Sequence, residues 1–301
     1  MYDIPPILLF GARGQVGWEL RRTLSTLGSV TTAGVDGADH DVDLTDLDSI
    51  SRVVAAVKPA VMVNAAAYTA VDRAEAEPEL ARQVNADAVG HMGNLAAAID
   101  CPVLHYSTDY VFSGEGDTPW REQDKPDPRS VYGRTKLEGE NALAASGADF
   151  LILRTAWVYG ARGANFMLTM QRLFRERDQL NIVADQYGAP TWSRHIAEAS
   201  AQILAQSRDP GKAGFGFNQS RGIYHLTAAG KANWHEFAEA ILRGTEADCE
   251  LLPITTGEYP CAATRPGYSV LNNEHLELVF GISLPHWRQG LALCLDEQNG
   301  L

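Results

Sequence analysis

Short apolar runs separated by amphipathic stretches organise the first half of this chain. Ile7 to Phe10, Val30 to Val35, Val61 to Asn64, Val103 to Tyr106 and Phe150 to Arg154 read as strands, each too short to span a membrane. Between them, Trp18 to Leu24, Leu47 to Val57, Glu79 to Ala98 and Val131 to Ala144 carry helical periodicity. Such alternation predicts an α/β fold built on a doubly wound parallel sheet. The second half is less regular. It predicts helices over Phe166 to Arg177, Arg194 to Gln206 and Trp234 to Arg243, a strand over Ile223 to Leu226, and a turn at Gly211 to Gly216. No internal repeat or low-complexity tract interrupts this plan.

Composition narrows the class. With 301 residues and 45% hydrophobic content the chain can bury a sizeable core in two lobes. A net charge of −13 argues against nucleic acid and anionic membrane surfaces as partners. Cys101, Cys249, Cys261 and Cys294 lack CxxC spacing, so neither a zinc cluster nor a disulfide framework is expected. No charged leader with an apolar run is evident, and a cytoplasmic setting is expected.

Three motifs carry chemistry. Gly11-Ala-Arg-Gly14-Gln-Val-Gly17 stands between the first strand and the first helix, where glycines allow a tight turn and helix N–H groups face an anion. His105-Tyr106-Ser107-Thr108-Asp109-Tyr110 puts a hydroxyl near the C-terminal end of a strand, where open parallel sheets bind ligands. Tyr132 and Lys136 lie four apart, on one face if helical. A cation there is expected to pull the phenol below its ordinary value of about 10 and suit it to proton transfer. At the end of strand two, Gly34-Val35-Asp36 has an acid near but not at the tip. Arg13 could instead meet a 2′-phosphate, which favours NADPH and leaves NADH open.

The glycine spacing and the Tyr-x-x-x-Lys pair resemble the extended short-chain dehydrogenase/reductase superfamily, implying a Rossmann-like sheet with a smaller mixed α/β substrate-binding lobe. That resemblance implies a cofactor lobe over 1–155 with segments crossing back from about 191–230, and a substrate lobe mainly over 156–301. Gly14-Gln15-Val16-Gly17-Trp-Glu-Leu, the run 64–75, Tyr-Ser-Thr-Asp-Tyr-Val-Phe at 106–112, the runs 154–159 and 185–191, and Arg265-Pro266 narrow it to the dTDP-4-dehydrorhamnose reductase family. The resemblance implies reduction of the 4-keto group of dTDP-4-dehydro-L-rhamnose, for activated-sugar and cell-surface polysaccharide synthesis.

Its implied roles fall on named residues. Thr108, Tyr132 and Lys136 would be catalytic. Gly11, Arg13, Gly14, Gln15, Val16, Gly17, Asp43, Leu44, Asn64, Ala65 and Ala66, with Tyr132 and Lys136, would bind the cofactor. Thr69, Val71, Asp72, Thr108, Tyr110, Trp157, Asn165 and Arg265 would bind substrate, with a core or interface place an equal reading for Trp157. Some family members carry a metal between subunits on three glutamates. Glu19 and Glu297 match two of them, but Arg194 stands at the third, so no metal is expected, and a homodimer would lack that bridge. Two alternatives stay open: another nucleotide-sugar reductase, epimerase or dehydratase, and a non-catalytic regulatory subunit of the methionine adenosyltransferase type.

Overall fold

The computed structural model describes residues 4–209 and 214–298. Its centre is a seven-stranded sheet: β1 (Pro6–Phe10), β2 (Ser29–Gly34), β3 (His40–Asp41), β4 (Val61–Asn64), β5 (Val103–Thr108), β6 (Phe150–Thr155) and β7 (Gly222–His225). The spatial order is β7-β6-β5-β4-β1-β2-β3, and every pairing is parallel. Strand order therefore reverses between β1 and β4, which opens a crevice at their carboxyl ends.

Alternate strand residues feed two separate cores. Ile7, Leu9, Val63, Leu104 and Leu153 pack on one face with Leu20 and Leu24 of α1 (Gln15–Leu24). Leu8, Phe10, Met62, Val103 and Ile152 pack on the other with Ile50 and Val53 of α2 (Leu47–Val57). That second face is completed by α3 and α4. α3 runs in three parts, Pro78–Arg82, a π turn Gln83–Asp87 and Ala88–Ala98, and α4 is Val131–Ala145. Farther along the chain come α5 (Phe166–Glu176), α6 (Ser193–Gln206), α7 (Trp234–Arg243), α8 (Glu274–Phe280) and α9 (Trp287–Gln298). The first face is closed by α6, whose Ile196 and Ile203 meet the α1 side, together with Leu276 and Phe280 of α8. A third core gathers Met170 and Phe174 of α5, Phe237 and Ile241 of α7, and Trp287 and Leu291 of α9.

Several elements differ from the sequence expectation. β5 runs two residues further, to Thr108. The helix over Glu79 to Ala98 is interrupted by its π turn, which places Asn85 inward against α4. The parallel pair Gln179–Val183 with Glu250–Ile254, and helices α8 and α9, were not expected. Of the Gly211 to Gly216 turn, residues 211–213 lie outside the described residues, and Gly214–Phe215 pairs antiparallel with Arg208–Asp209. Among the described residues no helix is long and apolar enough to cross a membrane.

One buried ion pair locks α4 to the sheet. Arg154 of β6 meets Glu140 through Nε at 2.9 Å and Nη2 at 2.6 Å, with at most 2% of either side chain exposed. Removing one partner leaves the other charge unpaired in a medium that solvates it poorly. Glu140→Leu is expected to lower unfolding free energy by ~3–5 kcal/mol, and adding Arg154→Leu to recover most of that loss. Urea denaturation of the single and double variants measures both.

Candidate active site

The crevice begins at Gly11, the first residue past β1. Its φ is +79°, and a Cβ there would lie 2.5 Å from the Ala66 amide nitrogen. Only glycine therefore lets β1 end this close to the turn after β4. A Cβ on Gly17 would sit 2.0 Å from the Gly11 carbonyl oxygen, so α1 also needs glycine to pack on the loop. Gly14 is the N-cap of α1, with no side-chain cap and no acid in the first turn. The free N–H groups of that turn and the helix dipole point at the place where a diphosphate would sit. A cavity of about 350 Å³ adjoins it, lined in part by Arg13, Gly34, Asp43, Leu44 and Ala66.

At the far end of this cavity the strand tip is Gly34, and a Cβ there would meet open space. Asp36 follows with φ +57°, its carbonyl accepting from Arg13 Nη1 at 2.5 Å. The other nearby acid, Asp39, is engaged by the N–H and hydroxyl of Thr32, both at 2.8 Å. Those hydrogen bonds hold its carboxyl below the ordinary range. Asp43 Oδ1 accepts from the N–H and hydroxyl of Thr45. Asn64 Oδ1 accepts from Ala66 N–H at 3.0 Å, which shapes the Asn64-Ala65-Ala66 turn. Gln15 reaches the opposite wall, where its Oε1 accepts from Asn165. Val16 packs against the first core.

The chemical end lies at the tip of β5. Thr108, its last residue, caps a short 3₁₀ turn by accepting from Tyr110 N–H at 3.2 Å, and donates to Asp109 Oδ1 at 3.0 Å. Tyr132 sits in the first turn of α4, which starts at an N-cap, Ser130, accepting from Gly133 N–H. A Cβ on Gly133 would be 2.2 Å from the Tyr110 carbonyl oxygen, so this glycine brings the helix up to the strand end. Tyr132 meets Tyr110 edge-on, ring centroids 5.6 Å apart, which brings it beside the turn that Thr108 caps.

The expected depression of the Tyr132 phenol by Lys136 is not what the structure shows. Burial pushes its pKa up, with Asp109 and Tyr110 adding to the rise and the Thr108 hydrogen bond opposing it. Lys136 is fully buried and turned toward β5, its Nζ donating to the Tyr106 carbonyl at 2.7 Å and lying 3.3 Å from His105 Nε2. Burial lowers its pKa to about 8, against the attraction of Glu140. Neighbours on one helix face need not point at one another when a strand carbonyl offers a better partner.

The sugar-side candidates are partly brought together. Asp72 accepts from Arg265 Nη2 at 2.5 Å and from Ala263 N–H at 3.1 Å, which joins the Thr69-Ala70-Val71-Asp72 segment to the C-terminal loop. Burial opposes the Arg265 charge, while nearby Tyr110 and Asp72 raise its pKa above the ordinary value. Trp157 stands apart from this group. It has φ +47° and lies flat on Trp234 at 3.5 Å, with Gly188 leaving room for its ring. Asn165 is corrected: its Oδ1 caps α5 at Leu168 N–H, and its amide nitrogen is shared among Gln15, Gly160 and Arg162. No donor is left over for a ligand. Arg194 bridges Glu19 and Glu297.

Three residues at the site were not assigned roles from sequence. Asp109 is buried beside Thr108. His105 touches Lys136. Asn85 holds the Tyr68 backbone at both N–H and carbonyl and also donates to Thr135. Each is a polar side chain inside an otherwise apolar or helical run, and that is the signal that could have found them.

The family profile described as RmlD substrate binding domain matches residues 5–299. A dTDP-4-dehydrorhamnose reductase from Burkholderia thailandensis is 46% identical over 299 residues, covering 97% of this chain and 98% of that protein. The crystal structure of a dTDP-4-dehydrorhamnose reductase from Clostridium acetobutylicum superposes with a TM-score of 0.89 at 36% identity, covering 98% of this chain and 99% of that one. The Bacillus anthracis reductase, solved in complex with NADP, gives 0.88 at 30% identity with the same coverage.

Burial raises the Asp109 carboxyl from 3.8 to about 6, despite the hydrogen bond from Thr108 to its Oδ1. A raised carboxyl favours the neutral form in the fold, so its ionisation costs stability above about pH 6 and nothing well below pH 4. Asp109→Asn is therefore expected to gain up to ~3 kcal/mol at neutral pH and little in acid. Thermal or urea unfolding at the two pH values measures the difference.

Proposed function

The chain belongs to the dTDP-4-dehydrorhamnose reductase family, and we propose that it reduces the 4-keto group of dTDP-4-dehydro-L-rhamnose to give dTDP-L-rhamnose, with NADPH preferred over NADH. The observation that carries this reading is the gathering of Thr108, Tyr110 and Tyr132 at the tip of β5, beside a glycine cradle with an uncapped helix terminus. The cradle fits a dinucleotide: Gly11 and Gly17 leave no room for side chains, and Arg13 covers a strand tip without an acid. Gly14, Gln15 and Val16 would line its diphosphate, Asp43 and Leu44 its adenine, and Asn64, Ala65 and Ala66 its ribose. When bound, the reduced nicotinamide supplies the hydride.

The chain's own residues handle the proton and the developing charge. As the carbonyl carbon gains hydride, its oxygen becomes an alkoxide. Tyr132 gives its phenolic proton to that oxygen, forming an O–H bond and leaving a phenolate. A phenol raised by burial stays loaded at neutral pH, which suits a proton donor. Thr108, turning its one hydroxyl proton from Asp109 Oδ1, would hydrogen-bond the same oxygen as charge accumulates. Lys136 lies one turn along α4 from the phenolate and would hold the cofactor ribose. Tyr110, Thr69, Val71 and Asp72 would border the sugar, with Trp157 beyond them. Arg265 supplies a guanidinium suited to the diphosphate, exchanging Asp72 for phosphate oxygens.

The test is loss of NADPH absorbance on adding dTDP-4-dehydro-L-rhamnose. Stoichiometric oxidation is expected, with Tyr132→Phe lowering kcat by ~10²–10⁴. No oxidation with either NADPH or NADH sinks the reading and directs attention to a binding role. Arg13→Ala should raise KM for NADPH by ~10-fold or more while leaving KM for NADH unchanged, the mark of a lost charge-assisted contact.

A further inference from the structure

The proton inventory around Lys136 is determined by one backbone group. Ala66 N–H donates to Asn64 Oδ1 at 3.0 Å, so the Asn64 side-chain oxygen faces that amide and its NH₂ faces the other way. That NH₂ lies 3.1 Å from His105 Nδ1. Nδ1 must then accept, and a neutral imidazole with one nitrogen accepting carries its proton on the other. The proton is on Nε2, the atom 3.3 Å from Lys136 Nζ. His105 is fully buried, and burial with the nearby lysine holds its pKa well below the ordinary value, so a second ring proton is excluded at neutral pH.

Lys136 therefore faces an N–H on one side and the Tyr106 carbonyl, at 2.7 Å, on the other. An ammonium has three donors and no acceptor, and would set N–H against N–H. A neutral amine satisfies both neighbours: it donates to Tyr106 and accepts from His105 through its lone pair. Of the other charged or titratable groups near Lys136, Glu140 on its own helix favours the ammonium while also pairing with Arg154 of β6, and burial outweighs that attraction. Tyr132 is held in its protonated form by burial. Asp109, on the turn after β5, acts on Tyr132.

We propose that His105 is a positioning residue that favours the neutral amine of Lys136 against β5 before cofactor binds, so that in alkaline solution cofactor binding takes up a proton as Lys136 leaves for the ribose. This rests on the assignment of Lys136 to the cofactor. The release is a conformational step with a defined proton count: one proton from solvent joins the amine, its hydrogen bond from His105 Nε2–H breaks, and the ammonium gains the ribose oxygens. The sign follows from a lysine held at about 8 in the free chain and restored toward its ordinary 10.5 when it is repartnered. Affinity for NADPH then falls as pH rises through that window, by up to ~10-fold per unit.

Two measurements on the full chain test this. Long-range ¹H–¹⁵N NMR of the histidine rings, without cofactor, should show His105 as the Nε2–H tautomer. A proton on Nδ1, turned toward the Asn64 carbonyl, overturns the proposal whatever the enzyme reduces. Calorimetric titration with NADPH in buffers of differing ionisation enthalpy should show uptake of close to one proton per cofactor one pH unit above about 8, falling toward zero two units below it. Binding with no proton uptake at the higher pH also overturns it. His105→Phe, which removes the N–H donor, should cut that uptake at least twofold and flatten the pH dependence of NADPH affinity. A variant that merely disturbed packing would weaken binding equally at all pH values. Failure to bind NADPH at all would instead count against the reductase reading, and the tautomer would still decide the geometry.

Discussion

Three segments of backbone converge on Gly11, and the rest of the site depends on how closely they approach. The end of β1, the turn after β4 and the first turn of α1 are each close enough that one added carbon would collide with a neighbour. This steric limit sets the crevice at the point where the sheet reverses its order. It also aims the uncapped amides of α1 into that crevice. The second glycine-dependent approach, at Gly133, brings α4 against the turn that follows β5. The loop and the helix are thus placed by absent side chains, and the reactive groups by the strands between them.

What this placement achieves electrically is a polar cluster in poorly solvating surroundings. Thr108, Asp109 and Lys136 are all at most 5% exposed, and α4 also carries the Glu140 side of the buried ion pair. Burial raises the tyrosine and the aspartate and lowers the lysine, each toward its uncharged form. Only the tyrosine stays wholly neutral near pH 7, while the aspartate and the lysine are left close to their titration points. The Asp72–Arg265 pair is a charged contact that ties the segment after β4 to the C-terminal loop.

Much of this plan was legible in the sequence, for physical reasons that also explain where legibility stopped. Strands such as Val61 to Asn64 and Phe150 to Arg154 are buried on both faces, so their signal is a continuous apolar run that needs no partner to be read. The glycine loop and the Tyr132/Lys136 spacing are local. The direction of Lys136 is not, because it is decided by a carbonyl and an imidazole on a strand some 30 residues earlier. The pairing of Gln179–Val183 with Glu250–Ile254 joins segments about 70 residues apart and leaves no local trace. Asn165 differs in kind: it immediately precedes a helix that the sequence did predict, and its capping role could have been read there.

The return of the chain to the sheet has a consequence for synthesis. One apolar face, with Ile7, Leu9, Leu20 and Leu24, is closed by Ile196 and Ile203 of α6, and the sheet edge beside β6 is filled only by β7. A nascent chain emerging from the ribosome completes six of the seven strands while that greasy face and that open edge are still bare. About 70 further residues must be made before the edge is filled, between the end of β6 at Thr155 and the end of β7 at His225, and Leu276 and Phe280 of α8 reach the face later still. During that interval exposed apolar surface and an unpaired strand edge favour edge-to-edge aggregation, and the central sheet is complete only after residues well past β6 have been translated.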